Sequence, residues 1–309
     1  MELRQALAKT LAELMRENNK IVILDADLSK ANGTDSLYKE FPNRCYNVGV
    51  SEQNMASMAA GLSTYGFTPV IVTFTPFATR RICDQIAVSI AYAKQKVVII
   101  GTDPGITAEM NGGTHMSFED VGVMRSIPKM VIVDIVDDVQ LMKALPHIIN
   151  YPSALYVRMP RKSRPTVFDE NYQYRFLKAD VLKEGKDVTI IASGTMVYEA
   201  QVAAKMLAEK GIDAELISAN CIKPLDEETI LKSIKKTNKV LVCENHNVIG
   251  GLFSAVAELI VSKYPVKAKA VGVMDEFGQV GKYQELLEVY HMTPADIAKA
   301  TMKLVNDKE

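Results

Sequence analysis

SEQNMASMAAGLSTYGFTPVIVTFTPF, residues 51–77, contains the clearest signal for the fold. After Glu52, near its start, the chain carries no charged residue as far as Thr79. The Ala- and Met-rich part over residues 52–65 predicts a helix, and the β-branched run over residues 69–74 predicts a buried strand. Because glycines, prolines and hydroxyl side chains divide the tract into these lengths, it indicates protein interior and not a membrane span.

The same alternation of strand and helix continues along the chain. Short apolar runs predict further strands at residues 21–25, 97–101, 130–134, 154–158, 187–194, 213–218, 239–244 and 267–273. Helical spacing of apolar residues predicts an N-terminal helix and further helices at residues 78–93, 137–149, 197–210, 226–236, 251–263 and 294–306. Thr293 and Pro294 predict the cap and the first residue of the last helix.

This order of elements predicts the fold class and the domain organisation. Buried strands that alternate with helices are typical of parallel sheets covered on both faces, so we expect two tandem three-layer α/β/α domains. The stretch that begins at Pro160, PRKSRPTVFDENYQYRF, is rich in charge and proline and has no sustained period. We therefore predict a first domain over residues 1–165, a linker over residues 166–186 and a second domain over residues 187–309.

The composition argues against nucleic acids and membranes as partners and against a metal site built from cysteines. Lys and Arg number 36 against 37 for Asp and Glu, so the net charge of −1 gives no electrostatic reason to expect a nucleic-acid or membrane partner. The four cysteines form no CxxC pair, which favours reduced thiols in a cytoplasmic protein and no metal site built from cysteines. The N-terminus has an amphipathic pattern and no apolar core of an export signal, so we interpret it as the first helix.

Glu52 has two interpretations. With Ser51 as N-cap, a carboxylate in the first helical turn suits the helix macrodipole. A carboxylate beside a long apolar tract would also need a hydrogen-bond donor, and a ligand could be that donor. The two aromatic residues that follow, Phe74 and Phe77, fit either an ordinary core or a stacking surface for a flat cofactor.

Three further sites carry candidate chemistry. The loop over residues 105–120 follows a strand and contains His115 directly after Gly-Gly-Thr, at the sheet edge where α/β proteins bind ligands. Arg158, at the end of a strand, could bind an anionic substrate tail or belong to a solvated basic linker. A Gly-Gly pair before the helix at 251–263 is compatible with anion binding, although this signal is weak. No P-loop, GxGxxG, GxSxG, HExxH or EF-hand motif is present.

Six motifs, taken in order, resemble the transketolase family of thiamine diphosphate enzymes. They are DADLS (25–29), VGVSEQNM (48–55), TFTPF (73–77), NGGTH (111–115), LYVRMPR (155–161) and ENHNVIGGLFSAVAE (244–258). The resemblance covers essentially the whole chain but only the pyrimidine-binding and C-terminal domains of the family. The family binds the diphosphate and its metal through GDG and a later Asn, and this sequence has no GDG. The chain therefore looks like the small subunit of a split transketolase.

The resemblance implies roles for residues around the cofactor. Glu52 would hydrogen-bond the pyrimidine nitrogen and favour the imino tautomer that takes the proton from the thiazolium carbon. Phe77 would stack on the aminopyrimidine, with Phe74 beside it, and Asp27 would lie near the cofactor. His115 would hydrogen-bond the hydroxyl or carbonyl oxygens of the donor sugar.

It also implies substrate contacts. Arg158 would grip the substrate phosphate, and Arg4 would be a second phosphate-binding arginine. Two positions depart from the family pattern: Asn111 stands where an Asp is usual, and Asp103 stands where a His is usual. An amide in place of a carboxylate, and a negative charge near the phosphate, predict ketol transfer on an unusual sugar phosphate.

The resemblance further implies an assembly. The cofactor would lie between this chain and an N-terminal transketolase subunit carrying GDG and the later Asn, in a heterotetramer of two small and two large subunits. The uncharged tract would then lie at an interface. Mg²⁺, or Ca²⁺, would be held by the diphosphate and the partner's oxygens, so no metal ligand is expected in this chain.

Three other functions remain open at this stage. The same pair of domains occurs in 1-deoxy-D-xylulose-5-phosphate synthase and in the β subunit of 2-oxo acid dehydrogenases, so either activity would fit the motifs. The segment ENHNVIGGL (244–252) resembles the synthase somewhat more than many transketolases. The third alternative is a non-catalytic paralogue that binds or regulates a partner, against which the presence of Glu52, Phe77 and His115 argues.

Overall fold

The computed structural model describes residues 1–307. They form an α/β fold with two mixed β-sheets and the helices that pack against them. Within this range the strands are β1 (Ile21–Asp25), β2 (Cys45–Asn47), β3 (Thr68–Phe74), β4 (Val98–Thr102), β5 (Val131–Asp134), β6 (Leu155–Met159), β7 (Asp180–Lys183), β8 (Val188–Ala192), β9 (Ala214–Ser218), β10 (Cys221–Lys223), β11 (Lys239–Asn247) and β12 (Lys267–Val273). The α-helices are α1 (Leu3–Glu17), α2 (Ser29–Asn32), α3 (Asp35–Glu40), α4 (Glu52–Thr64), α5 (Thr75–Ala78), α6 (Asp120–Ser126), α7 (Asp138–Asn150), α8 (Met196–Ala208), α9 (Glu227–Thr237), α10 (Leu252–Lys263), α11 (Tyr283–Val289) and α12 (Pro294–Asn306).

The two sheets confirm the predicted fold class. The first sheet has the strand order β10-β5-β6-β4-β3-β1-β2, and the second has the order β12-β11-β8-β9-β7. Neighbouring strands are parallel except at one edge of each sheet, where β10 pairs antiparallel with β5 and β7 pairs antiparallel with β9. The central strands β1, β4, β6, β8 and β9 are buried along their whole length, as expected for sheets covered by helices on both faces.

The two antiparallel edge strands were not predicted. Strand β7 lies inside the predicted linker and completes the second sheet, whereas β10 follows β9 and returns to the edge of the first sheet. Both are only three or four residues long, so neither shows a periodic pattern in the sequence. The first sheet therefore contains a strand from the second half of the chain.

The helix predicted over residues 78–93 is broken into pieces. Helix α5 begins earlier because Pro76 fits the first turn of a helix, and it ends at Thr79, whose φ of −129° and ψ of −88° are not helical. A 3₁₀ turn over Arg80–Ile82 and a π-helical segment over Gln85–Tyr92 follow. Within residues 1–307, no helix combines the length and the apolar composition needed to cross a membrane.

A buried arginine connects the two halves of the chain. Arg158 is 1% exposed; its Nε and Nη2 donate to Asp120 at 2.6 and 3.2 Å, and its Nη1 donates to Asp134 at 2.8 Å. Nη2 also donates to the carbonyl oxygen of Asn245 at 3.0 Å, and Asp134 accepts from the hydroxyl of Ser193 at 2.8 Å. Because Asn245 and Ser193 belong to the second sheet region, this network fixes the domains to one another.

We expect Arg158→Met to destabilise the protein strongly. The substitution would leave Asp120 and Asp134 buried without their cation, a loss of about 3–5 kcal/mol in the free energy of unfolding. The matched change Arg16→Met breaks an exposed pair with Glu40 and should cost less than about 1 kcal/mol. Urea unfolding of both variants measures the difference; equal losses would contradict the role assigned to Arg158.

Candidate active site

The candidate site lies at the carboxyl ends of the strands of the first sheet. Asp27 follows β1, Phe74 ends β3, Asp103 follows β4 and Arg161 follows β6. Parallel strands bring these ends to the same edge, which is where open α/β sheets bind ligands. The fold therefore collects residues that are far apart in the sequence.

Three rings form the centre of the site. The centroids of Phe74 and Phe77 lie 6.0 Å apart, with an angle of 38° between the ring planes. The His115 ring meets both edge-on, at 6.0 Å from Phe74 and 5.3 Å from Phe77, and its Nδ1 hydrogen-bonds the hydroxyl of Thr114 at 2.8 Å. The predicted aromatic pair and the predicted histidine are thus in contact.

Glu52 joins this cluster through Arg81. Glu52 lies in the first turn of α4 and is 4% exposed, and its Oε1 accepts a hydrogen bond of 2.7 Å from Arg81 Nη1. The Arg81 guanidinium lies over the Phe77 ring at 3.7 Å from the centroid. The sequence suggested that a ligand could donate a hydrogen bond to Glu52, but the chain itself supplies a donor.

The prediction that Ser51 is the N-cap residue of α4 is confirmed, although its side chain does not form the cap. Ser51 occupies the N-cap position of α4, but its side chain makes no capping hydrogen bond. Its hydroxyl instead donates to the carbonyl oxygen of Val48 at 2.8 Å. Helix α4 therefore begins at Glu52 without a cap from the serine side chain.

Asp103 has its charge paired. It is buried, adopts a left-handed φ of 53°, and accepts hydrogen bonds from the backbone N of Arg161 at 2.7 Å and from Arg161 Nε at 2.5 Å. Burial raises the pKa of Asp103, whereas the neighbouring Arg161 acts in the opposite direction. The Arg161 guanidinium lies over Phe74 at 4.6 Å from the ring centroid. The sequence showed the acid but not its partner.

Arg4 lies beside Arg161. Both donate through Nη1 to the carbonyl oxygen of Ala31, at 3.5 and 3.4 Å, and Arg4 Nε pairs with Glu2 at 2.7 Å. The shared acceptor holds the two guanidiniums side by side at one end of the aromatic cluster. Such a pair of planar donors suits an anionic group with several oxygens.

The remaining predicted residues lie at the margin of the site. Asp27 is exposed after β1, with a left-handed φ of 63°, and its Oδ1 accepts from Asn47 Nδ2 at 3.3 Å. Asn111 is exposed at the end of a 3₁₀ segment over Gly105–Asn111. Within residues 1–307, neither side chain hydrogen-bonds to His115, Glu52 or Arg81.

The predicted role of Arg158 does not fit its position. The side chain is 1% exposed and most of its N–H groups are used by Asp120, Asp134 and Asn245. Burial disfavours the charged guanidinium, but the two carboxylates outweigh burial and raise its pKa. A substrate phosphate could reach Arg158 only by breaking this network, so the end of β6 contributes Arg161 to the site and not Arg158.

The predicted anion site before α10 is filled by the chain itself. The backbone N–H groups of Leu252 and Phe253 donate to the Glu244 carboxylate at 2.6 and 3.0 Å. Burial raises the pKa of Glu244 to about 7. A Cβ at Gly251 would lie 1.9 Å from Glu244 Oε2, so the glycine makes room for this internal cap. The Gly-Gly pair in the sequence therefore indicates the internal cap that Glu244 forms on α10, and not a site for an anionic ligand.

A second buried acid lies near the site without appearing in the predictions. Asp25 ends β1 and is fully buried; its Oδ1 accepts from the backbone N of Leu28 at 2.6 Å, whereas Oδ2 has no partner among the described residues. Burial raises its pKa to about 6, although the backbone hydrogen bonds act in the opposite direction. In the sequence this acid is the last residue of an otherwise apolar strand, and that position is the one signal for it.

Among residues 1–307 no group of three or more His, Cys, Asp or Glu side chains could hold a metal ion. The cysteines in that range, Cys45, Cys83, Cys221 and Cys243, are all free.

Comparison with known proteins adds three findings. Models of the transketolase pyrimidine-binding domain and of the transketolase C-terminal domain match residues 1–166 and 177–297. A 6-deoxy-6-sulfo-D-fructose transketolase subunit of Clostridium sp. (strain MSTE9) is 44% identical over 99% of this chain and 95% of its own length. A solved structure described as a split gene transketolase, inactive beta4 tetramer, is 40% identical with a TM-score of 0.93, covering 100% of both chains.

A further relative is longer. The 1-deoxy-D-xylulose-5-phosphate synthase of Heliobacterium modesticaldum is 31% identical over 98% of this chain but over only 47% of its own length. The chain therefore spans about half of that enzyme.

We expect Asp25 to make stability depend on pH. Because its pKa is about 6 in the folded protein against 3.8 ordinarily, the folded state keeps the proton longer, and stability falls as the pH rises from about 4 to about 6. The loss should be about 2–3 kcal/mol. Asp25→Asn should remove this part of the slope in urea unfolding, whereas Asp35→Asn, on an exposed helical turn, should keep it. An unchanged slope in the first variant would contradict the assignment.

Proposed function

The chain belongs to the transketolase family, and from this membership we propose that it is the small, pyrimidine-side subunit of a two-chain transketolase. The observation that carries the proposal is the contact between a buried acid, Glu52, and the Phe77 ring through Arg81. An acid and aromatic faces, in a chain whose sequence contains no GDG, support the pyrimidine half of a shared cofactor site.

The residues present fit thiamine diphosphate. Phe74 and Phe77 offer flat apolar faces, and Glu52 is a nearly buried hydrogen-bonding partner for a ring nitrogen. When bound, the cofactor supplies the carbon nucleophile and the electron sink for breaking and making a carbon–carbon bond. Glu52 holds the proton at the pyrimidine nitrogen, and Phe77 supports the ring. A Mg²⁺ or Ca²⁺ ion would be bound through the partner subunit, because such hard cations take oxygen ligands.

The protein side of the reaction follows from the same cluster. His115, edge-on to both phenylalanines, orients a hydroxyl or carbonyl oxygen of the donor ketose over the rings. Asp27 lies at the cofactor edge of the site, and Asn111 offers an amide to the sugar hydroxyls. The chain then transfers a two-carbon ketol unit from a ketose to a phosphorylated aldose.

Arg161 and Arg4 take over the substrate contact that the sequence assigned to Arg158. Their side chains are 16% and 36% exposed, so they can be reached from solvent. Asp103 holds Arg161 by two hydrogen bonds and lowers the positive charge offered to an anionic tail. The similar Clostridium subunit is described as acting on a sulfonated fructose, which supports an anionic donor that is not an ordinary pentose phosphate.

The proposed assembly is a heterotetramer of two copies of this chain and two partner subunits that carry GDG and a later Asn, working in the cytoplasm. Exposed apolar side chains support an interface along α4 and the π-helical segment: Tyr65, Val88 and Tyr92 are 81%, 55% and 85% exposed. By analogy with the solved inactive tetramer, the chain without its partner self-associates and is inactive.

One alternative has a specific observation in its favour. The relatives with 31–32% identity include several 1-deoxy-D-xylulose-5-phosphate synthases, which this chain matches over about half of their length. Such an activity would join a two-carbon unit from pyruvate to an aldose phosphate with loss of CO₂. Release of CO₂ from pyruvate by the assembled enzyme would favour this alternative over ketol transfer.

The first experiment identifies the partner subunit and measures ketol transfer by the assembled enzyme. The chain is purified from its native extract and its companion is identified by mass spectrometry; the two are then mixed with thiamine diphosphate and Mg²⁺. A stoichiometric partner with GDG and ketol transfer from erythrulose, a ketose without an anionic group, would support the proposal. A chain that purifies alone, or with a lipoyl acyltransferase, would overturn it.

We expect Glu52→Gln to lower kcat of the assembled enzyme at least about 100-fold, because proton transfer through the pyrimidine is lost. The variant should still form the heterotetramer in analytical ultracentrifugation, since the amide has the same shape. Glu40→Gln, on an exposed surface pair, should retain full activity. Unchanged turnover in Glu52→Gln would instead promote a regulatory, non-catalytic role.

We expect Arg161→Gln to raise KM for anionic donors about 10-fold, while KM for erythrulose stays the same. The amide of the introduced glutamine can still donate a hydrogen bond to Asp103, so the substitution should disturb the surrounding structure little. Lys162→Gln is the matched control, because Lys162 is the next residue, is more exposed and pairs with Glu109. Steady-state kinetics with both donors measures the effect; an equal change for erythrulose would refute tail binding.

A further inference from the structure

Arg81 makes two contacts that no motif predicted. Its Nη1 donates to Glu52 Oε1 at 2.7 Å, and its Cζ lies over the Phe77 ring at 3.7 Å from the centroid. Among the described residues, the Glu52 carboxylate has no other hydrogen-bond donor. One rigid planar group therefore connects the acid of the site with its stacking ring.

We propose that Arg81 is a positioning residue that fixes Glu52 and Phe77 relative to one another for the pyrimidine ring. The inference rests on the proposed function, since it assigns Arg81 to the cofactor that this function requires. Arg81 itself makes no bond to the reacting atoms; it acts through the two residues that receive the ring.

The geometry leaves room for the cofactor. Arg81 uses one carboxylate oxygen of Glu52, so Oε2 stays available for a ring nitrogen. A phenyl ring has two faces, so a guanidinium on one face of Phe77 stabilises the ring while the other face accepts the pyrimidine. The charge-assisted hydrogen bond also keeps the Glu52 side chain from rotating away from the site.

The backbone around Arg81 supports this assignment. The residue lies in the 3₁₀ turn after the break at Thr79, four positions after Phe77, which brings its side chain back over that ring. Its carbonyl oxygen accepts from Gln53 Nε2 at 3.4 Å. Since Gln53 directly follows Glu52 on α4, side chain and backbone of Arg81 both hold the first turn of that helix.

The neighbouring residue provides a matched control. Arg80 lies in the same turn, and its side chain is 43% exposed against 41% for Arg81. It pairs with Glu119 at 2.6 Å and donates to the carbonyl oxygen of Thr114 at 3.3 Å. The two residues thus have the same type, exposure and backbone context but different partners.

The test measures cofactor binding and stability separately from turnover. Calorimetric titration of thiamine diphosphate, with Mg²⁺ present, is carried out on the complex with the partner subunit for wild type, Arg81→Gln, Arg81→Lys and Arg80→Gln. We expect Arg81→Gln to weaken binding about 10- to 100-fold, the loss typical when a group that orients a functional side chain is removed. Arg81→Lys keeps the positive charge but lacks the planar guanidinium that lies over Phe77. Its affinity for the cofactor should therefore lie between those of Arg81→Gln and wild type.

The outcomes separate this inference from the function on which it rests. Arg80→Gln should bind like wild type. Arg81→Gln, measured without cofactor, should unfold well above the temperature of the titration, so that its lost affinity does not come from unfolding. An Arg81→Gln complex with unchanged affinity would overturn the inference. Tighter binding would overturn it as well, because Arg81 would then occupy the place of the pyrimidine. A wild-type complex that binds no cofactor would overturn the proposed function itself.

Discussion

The arrangement of the whole chain depends on one buried cation between two buried carboxylates. Arg158 can remain charged inside the protein only because Asp120 and Asp134 pair with it, and its Nη2 also donates to the carbonyl oxygen of Asn245 in the second sheet. These bonds fix where β6 ends relative to the second half. Three residues later, Arg161 therefore reaches the site at a defined position over Phe74.

The candidate site also contains arginines that are fixed in place by carboxylates. Two arginines of the site are each held by a carboxylate while the guanidinium lies over an aromatic ring: Arg81 with Glu52 and Phe77, and Arg161 with Asp103 and Phe74. Pairing restricts the side chains, and the rings set the direction in which they point. The site is thus ordered before any ligand enters, which lowers the entropic cost of binding.

Local patterns in the sequence predicted most of the elements, because buried strands and amphipathic helices leave a period that is readable over ten residues. They also pointed to Phe74, Phe77, His115 and Glu52, which stand in short motifs and which the fold brings together. They failed where the deciding partner is distant in the chain. Arg81 and Glu52 are 29 positions apart, Arg161 and Asp103 are 58 apart, and the carboxylates that bury Arg158 are 24 and 38 positions away.

Strand β10 also constrains how the protein can be made. The first sheet needs Cys221–Lys223 to cover β5, yet that strand comes after β7, β8 and β9 of the second sheet. During synthesis, the first half therefore leaves the ribosome with the backbone groups of β5 unpaired at an open edge. Its sheet is completed only when more than two thirds of the chain has been translated. The two halves are thus successive in sequence but interdependent in folding, and a cut between them would leave an edge prone to aggregation.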